Sequence, residues 1–179
     1  LAHGLAIFVS ISALAGISGA HFNPAVSAVM LATKRICGQD FLYFVIAQLA
    51  GATVASLALN YIYGQSNGYG LPTIASGTSI GAGVLAEILG TALLVAVIFG
   101  VAVDKRSVAA SHPGLPIGLT ITAIIFSVGP ITGAALNPAR WFGPAIVSGD
   151  WTNAWVYIVA PIAGSLIAGF TYQAIAKPE

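Results

Sequence analysis

The chain has 179 residues, of which 58% are hydrophobic and only 6% charged, where a soluble domain carries about 25% charged residues. A mean hydropathy of +0.94 suits a lipid bilayer rather than water. The single cysteine, Cys37, excludes an internal disulfide framework and a cysteine-based metal cluster, and a net charge of +1 gives no ground for a nucleic-acid partner.

In chain order, residues 1–16 form an apolar run, residues 23–33 a shorter one, and residues 34–40 a short charged linker. A second long run covers 41–63 and ends in a linker, 64–78, rich in Gly, Ser and Asn. A third covers 81–103 and carries Glu87; the linker 104–113 follows with Asp, Lys, Arg and His. A fourth covers 115–128, a second short piece covers 137–147, and after the polar stretch 148–153 a last run covers 155–176. A hydrocarbon core of about 30 Å takes roughly 20 helical residues, so the five long runs read as spans. Ala, Leu, Ile and Gly without period-two alternation point to helices rather than a membrane barrel. The two short pieces, at about 16 Å each, reach half way. If the spans alternate and each short piece enters and leaves on one side, Lys34, Arg35, Lys105, Arg106 and Lys177 fall on one face, which the distribution of positive charge makes cytoplasmic.

Both short pieces open with Asn-Pro-Ala: Asn23-Pro24-Ala25 and, 114 residues later, Asn137-Pro138-Ala139. At the same offset Gly4-Leu5 aligns with Gly118-Leu119, and Ile17, Gly19 and Ala20 align with Ile131, Gly133 and Ala134. Downstream, Ala47 and Gly51 align with Ala160 and Gly164 at an offset of 113. The chain is one domain over 1–179 with a first repeat over about 1–63 and a second over about 81–176. An odd number of crossings per repeat inverts the second copy about an axis in the membrane plane. The counterpart of the Glu87 span falls before residue 1, so a further N-terminal helix is expected in the parent, absent from this chain, giving six spans and two half-helices.

Asn is a favoured N-cap and Pro suits the first helical position, so each tripeptide starts a helix. Inversion brings the two starts together at mid-membrane, with positive dipole ends and asparagine donors facing what passes between them. The positive potential disfavours cations and proton hopping. The irregular backbone at Gly19-Ala20-His21 and Gly133-Ala134-Ala135 is tolerable in a membrane only where it lines a cavity, and its carbonyls can form a ladder of acceptors. Arg140 beside a half-helix start is costly unless it faces water and carbonyls. Glu87, the one carboxylate well inside a span, is expected to accept from backbone N–H groups of the second loop; His21 is expected to hold the first.

The stretches SGAHFNPAV, AQLAG, AEILGT and NPARWFGPA resemble motifs of the aquaporin (major intrinsic protein) family. The resemblance covers the chain except for the family's first helix. It implies an all-α membrane protein, an inverted repeat with two re-entrant half-helices, assembled as a homotetramer with one pore per subunit. The approach to each motif is similar to that of archaeal and bacterial members, which implies the cell membrane of a prokaryote. The family's narrow filter carries over by spacing onto His3, Ile125, Ala134 and Arg140, a set similar to that of some plant tonoplast intrinsic proteins. Orthodox water-selective members have Phe and His at the first two positions. Glycerol facilitators have an aromatic pair and an Asp after the Arg, where this chain has Trp141; Ile158 stands where water channels often have Trp.

The resemblance implies a passive channel for water, extending to ammonia or other small neutral solutes, that excludes protons and ions. A glycerol or small-polyol facilitator is the alternative within the family. An ion-coupled secondary transporter is the alternative outside it, since inverted repeats and broken helices fit that class too. No catalytic set, phosphate loop or metal-ligand spacing is visible, so neither an enzyme nor a cofactor is expected.

Overall fold

The computed structural model describes residues 1–176; Lys177 lies outside the described residues. Among the described residues every regular element is helical: α1 (Ala2–Ser18), α2 (Pro24–Ala32), α3 (Gly38–Tyr63), α4 (Ile80–Ile98), α5 (Gly114–Thr132), α6 (Pro138–Ser148) and α7 (Ala154–Ala176). A 3-10 turn, Gly64–Gly70, follows α3, and a π-turn, Phe99–Val103, extends α4. α3, α5, α7 and α4 with its π-turn are each long and apolar enough to cross a membrane, and the chain is an integral membrane protein. α1 is shorter, at 17 residues, or about 25 Å.

Local chemistry accounts for most helix ends. Pro24 and Pro138 occupy first helical positions after the caps Asn23 and Asn137. Gly19, Gly133 and Gly149 end α1, α5 and α6 in left-handed geometry, which glycine adopts without a Cβ clash. Cys37 caps α3, its Sγ accepting from Asp40 N at 3.4 Å. The fourth span runs further than the expected 128, to Thr132, because Pro130 sits in the last turn on an exposed face, where it removes one ladder bond without ending the helix.

The packing repeats as the sequence does. α1 crosses α5, α2 packs on α7, and α6 packs on α3. Gly4 and Gly118 meet where α1 crosses α5; a Cβ on either would strike the other's carbonyl oxygen. These two glycines are repeat equivalents, so a pseudo-two-fold axis passes through their crossing. In the α2–α7 contact Val29 fills the space left by Gly169, and in the α6–α3 contact Ser56 faces Gly143. Val29 and Gly143 are equivalents, so the two interfaces share a geometry with knob and hole exchanged. The main core of Val29, Val95, Phe99 and Ile124 lies among α2, α4, α5 and α7.

At one end of the bundle Arg35, Val103 and Pro113 border the same opening. Arg106, after α4, donates from Nη2 to the Ala176 carbonyl at 2.9 Å. The loops bearing Lys34, Arg35, Lys105 and Arg106 therefore share one end of the molecule.

Candidate functional site: two half-helices meeting in a cavity

The two re-entrant loops fold alike. Gly19, Ala20 and Phe22 have φ of 76°, 49° and 51°, and their equivalents Gly133, Ala134 and Leu136 have 79°, 46° and 56°. Left-handed geometry at four non-glycine residues is costly, and both loops hold it in part by the same bond. Ala20 N donates to Ser18 Oγ at 3.3 Å, and Ala134 N to Thr132 Oγ1 at 3.1 Å.

The loops bring Asn23 and Asn137 together through reciprocal bonds. Asn23 Oδ1 accepts from Ala25 N at 2.8 Å, capping α2; Asn137 Oδ1 accepts from Ala139 N at 2.9 Å and Arg140 N at 3.3 Å, capping α6. Asn23 Nδ2 donates to the Leu136 carbonyl at 2.8 Å, and Asn137 Nδ2 donates to the Phe22 carbonyl at 2.8 Å. The free donor pair expected on each asparagine is therefore reduced. One N–H ties down the opposite loop, because that carbonyl belongs to a left-handed residue and has no other donor among the described residues. One N–H per carboxamide is left for a passing molecule. Pro24, Ala25, Pro138 and Ala139 are buried behind the asparagines.

Support for the loops differs between repeats. Glu87, fully buried on α4, accepts at Oε1 from Thr132 Oγ1 at 2.6 Å and Ala135 N at 2.9 Å, and at Oε2 from Leu136 N at 2.7 Å. The first loop instead has His21, whose Nδ1 lies 3.1 Å from Ser27 Oγ, while Gln48 Nε2 donates to the same oxygen at 3.0 Å. The His21 ring meets Phe44 edge-on, 4.9 Å between centroids. In the second repeat the position of Ser27 is taken by Trp141, which stacks on Tyr157 at 5.6 Å; Tyr157 Oη donates to the Thr132 carbonyl at 3.1 Å. Trp141 is thus a fully buried packing residue, and Ile158, 40% exposed, faces away from the interior.

A cavity of about 330 Å³ runs past the asparagines from His3 at one end to Arg35 at the other. Its apolar wall includes Ile7, Ile11, Ile117 and Ile121; its polar stripe is the first loop, Gly19 to Asn23, with Ala134, Ala135 and Asn137. Of the four expected filter residues, His3 and Ala134 border this cavity. Arg140 borders a separate hollow beside Ser56 and Tyr69. Ile125 is half-buried against the core one turn beyond Ile121 and does not border the cavity. Gly133 abuts Pro72 of the preceding linker. The Arg140 Nη1 group is buried without an acceptor among the described residues.

Phe22 and Leu136, whose carbonyls take the cross-links, are marked in the sequence only by their shared place before each Asn. Tyr157 is marked by no local pattern, and Arg35, marked only by its charge, borders the cavity.

Residues 1–172 match the major intrinsic protein family, MIP. The chain is 41% identical to "Aquaporin AqpM" of Methanothermobacter marburgensis, over 97% of this chain and 74% of that one. It is 40% identical to "Aquaporin NIP1-1" of Zea mays over 96% of its length, and 39% identical to "Probable aquaporin TIP-type RB7-18C" of Nicotiana tabacum, also over 96%. It spans 60% of the maize protein and 69% of the tobacco one. The aquaglyceroporin from Plasmodium falciparum superposes with a TM-score of 0.88 at 28% identity, covering 98% of this chain and 80% of that one. With this match, and with the paired half-helices already in view, the chain belongs to the major intrinsic protein (aquaporin) family.

Proposed function

We propose that the chain forms the pathway of a passive membrane channel for water and small neutral solutes, and is not an enzyme. The observation that carries this reading is the reciprocal pair Asn23–Leu136 and Asn137–Phe22 at the heads of two half-helices inside one cavity. Two positive helix ends and two aimed N–H donors favour an accepted water and disfavour a cation. Glu87 supports a channel over an ion-coupled transporter, since both its oxygens are engaged by loop donors and neither is left to carry a proton. The working unit is taken as a homotetramer with the Lys34, Arg35, Lys105 and Arg106 end in the cytoplasm of a prokaryote.

The finer reading is a filter of His3, Ile125, Ala134 and Arg140 that passes water readily, ammonia to some extent and glycerol slowly. The unpartnered Arg140 Nη1 is a fixed donor for a polar solute. The four filter positions hold no Phe or Trp to pack a polyol's carbon chain. Stopped-flow light scattering on proteoliposomes of the full-length protein tests both levels. Fast water with slow glycerol is expected; fast glycerol with slow water would place the channel with the polyol facilitators, and flux coupled to an ion gradient would overturn the channel itself.

A further inference from the structure

The end of the cavity opposite His3 carries a charge that the filter reading leaves unused. Arg35 borders the cavity there together with Ile36, Val103 and Pro113. Its guanidinium carbon stands 5.4 Å from the centroid of the Phe99 ring, within cation–π range. No carboxylate pairs with it among the described residues; Asp104, which follows the π-turn, is engaged by Arg106 Nε at 2.9 Å and by Tyr172 Oη at 3.0 Å.

The seat of this arginine is built. Phe99 is fully buried at the start of the π-turn, its ring 5.9 Å from that of Tyr172. Gly169 makes room for it: a Cβ there would come within 3.1 Å of the ring. The Arg35 backbone N–H donates to the Met30 carbonyl at 2.8 Å, fixing the residue at the C-terminal end of α2, where the helix dipole favours a cation. π-turns inside α-helices are rare and occur often at functional sites; this one sets Phe99 beneath the arginine.

Resting on the channel reading, we propose that Arg35 is a second charge filter, guarding the mouth opposite His3, and that Phe99 is the positioning residue that holds it there. Arg35 is exposed at that mouth; a guanidinium stays charged at any working pH, and the apolar walls of the cavity focus its field toward the opening. Ammonium, hydronium and metal cations entering from that end meet repulsion before they reach the asparagines, whereas neutral solutes do not.

The test uses the full-length channel in proteoliposomes with Arg140→Val, which weakens the first filter and makes a cation leak measurable. The readout is the ratio of cation leak to water flow. Arg35→Gln is expected to raise the ratio about tenfold, Arg35→Lys to hold it within about twofold, and Phe99→Leu to give an intermediate rise. A ratio indifferent to the charge at position 35, in vesicles that still pass water, overturns this proposal alone. Absence of water flow through the unaltered channel overturns the channel reading and this one with it. Should Arg140→Val fail to fold, Arg35→Cys with Cys37→Ser in the Asn137→Asp background, which admits cations through the intact Arg140, asks the same question when modified by cationic or anionic methanethiosulfonates of similar size. A higher ratio with the anionic reagent is expected, and equal ratios overturn the proposal.

Discussion

α3 and α7 are the same element of two repeats, yet they are packed very differently. α7 buries eight of its residues, from Val156 to Gly169, while α3 buries only Ser56. Both contact a half-helix, so the difference lies in α4, which covers α7 and has no counterpart on α3 among the described residues. Gly164 of α7 abuts the Ile88 carbonyl of α4, and its equivalent Gly51 meets nothing within 4 Å. The second loop has the α4 carboxylate as acceptor for Ala135 N and Leu136 N, and no described group accepts from the equivalent N–H groups of His21 and Phe22. A glycine costs a helix interior about 1 kcal/mol relative to alanine, and orphaned N–H groups are costly in a membrane. We propose that a helix related to α4 covers α3 at Gly51 and brings an acceptor to the first loop. The second half-helix shows that a re-entrant loop is held in mid-membrane by a neighbour's carboxylate as well as by its own cap.

The sharpest way to break this comparison is at Glu87. Glu87→Ala leaves three buried donors, from Thr132, Ala135 and Leu136, without an acceptor. At about 1–3 kcal/mol for each unsatisfied group, the expected loss is about 3 kcal/mol or more, read as a lower unfolding temperature in detergent and loss of water flow. A variant as stable as the parent would show that water can replace the carboxylate.

Paired glycine substitutions sharpen the comparison directly. Gly164→Leu forces α7 away from α4 and is expected to cost about 2–3 kcal/mol, as overpacking does. In the full-length protein Gly51→Leu is expected to cost about the same if α3 is covered as α7 is; a harmless Gly51→Leu would mean that nothing like α4 packs there.

The asparagines probe where the repeats agree. Asp caps a helix about as well as Asn, so Asn23→Asp and Asn137→Asp keep the cap but replace an N–H donor to the opposite carbonyl with an oxygen. Each is expected to cost about 1–2 kcal/mol, slow water flow, and admit cations more readily. Effects on flow that differ strongly between the two variants would show that the repeats are not equivalent in use.

The smallest effect concerns the loop after α4. Donation from Arg106 side-chain and backbone groups holds the Asp104 carboxyl well below the usual carboxylate range, and Tyr172 adds to it. A depressed folded value means stability that is present above the unfolded value of about 3.9 and is lost as pH falls below it toward the folded one. Hydrogen-exchange protection of residues 104–113, taken relative to the intrinsic rate at each pH, is expected to fall with acidification below about pH 4. Asp104→Asn should flatten that dependence, and an unchanged profile would place the acid sensitivity elsewhere.

The parts legible in the sequence are those ruled by local chemistry. Asn followed by Pro marked both half-helix starts, Gly19 and Gly133 ended the preceding helices, and the span boundaries differed from the structure by a few residues. The offset of 114 residues between tripeptides announced equivalent loops because identical residues meet identical steric limits. The π-turn at Phe99–Val103 gave no warning, since an apolar helix end looks the same at either pitch.

What the sequence determined by itself was the membrane as solvent, the inverted repeat and the polar tripeptides, because hydropathy, periodicity and capping act within a few turns of chain. The tertiary structure alone decided which carbonyl each asparagine holds, which carboxylate supports which loop, and that Arg35 and His3 occupy opposite ends of one cavity. Those relations join residues up to 115 positions apart, and only the packing of helices against one another sets such distances.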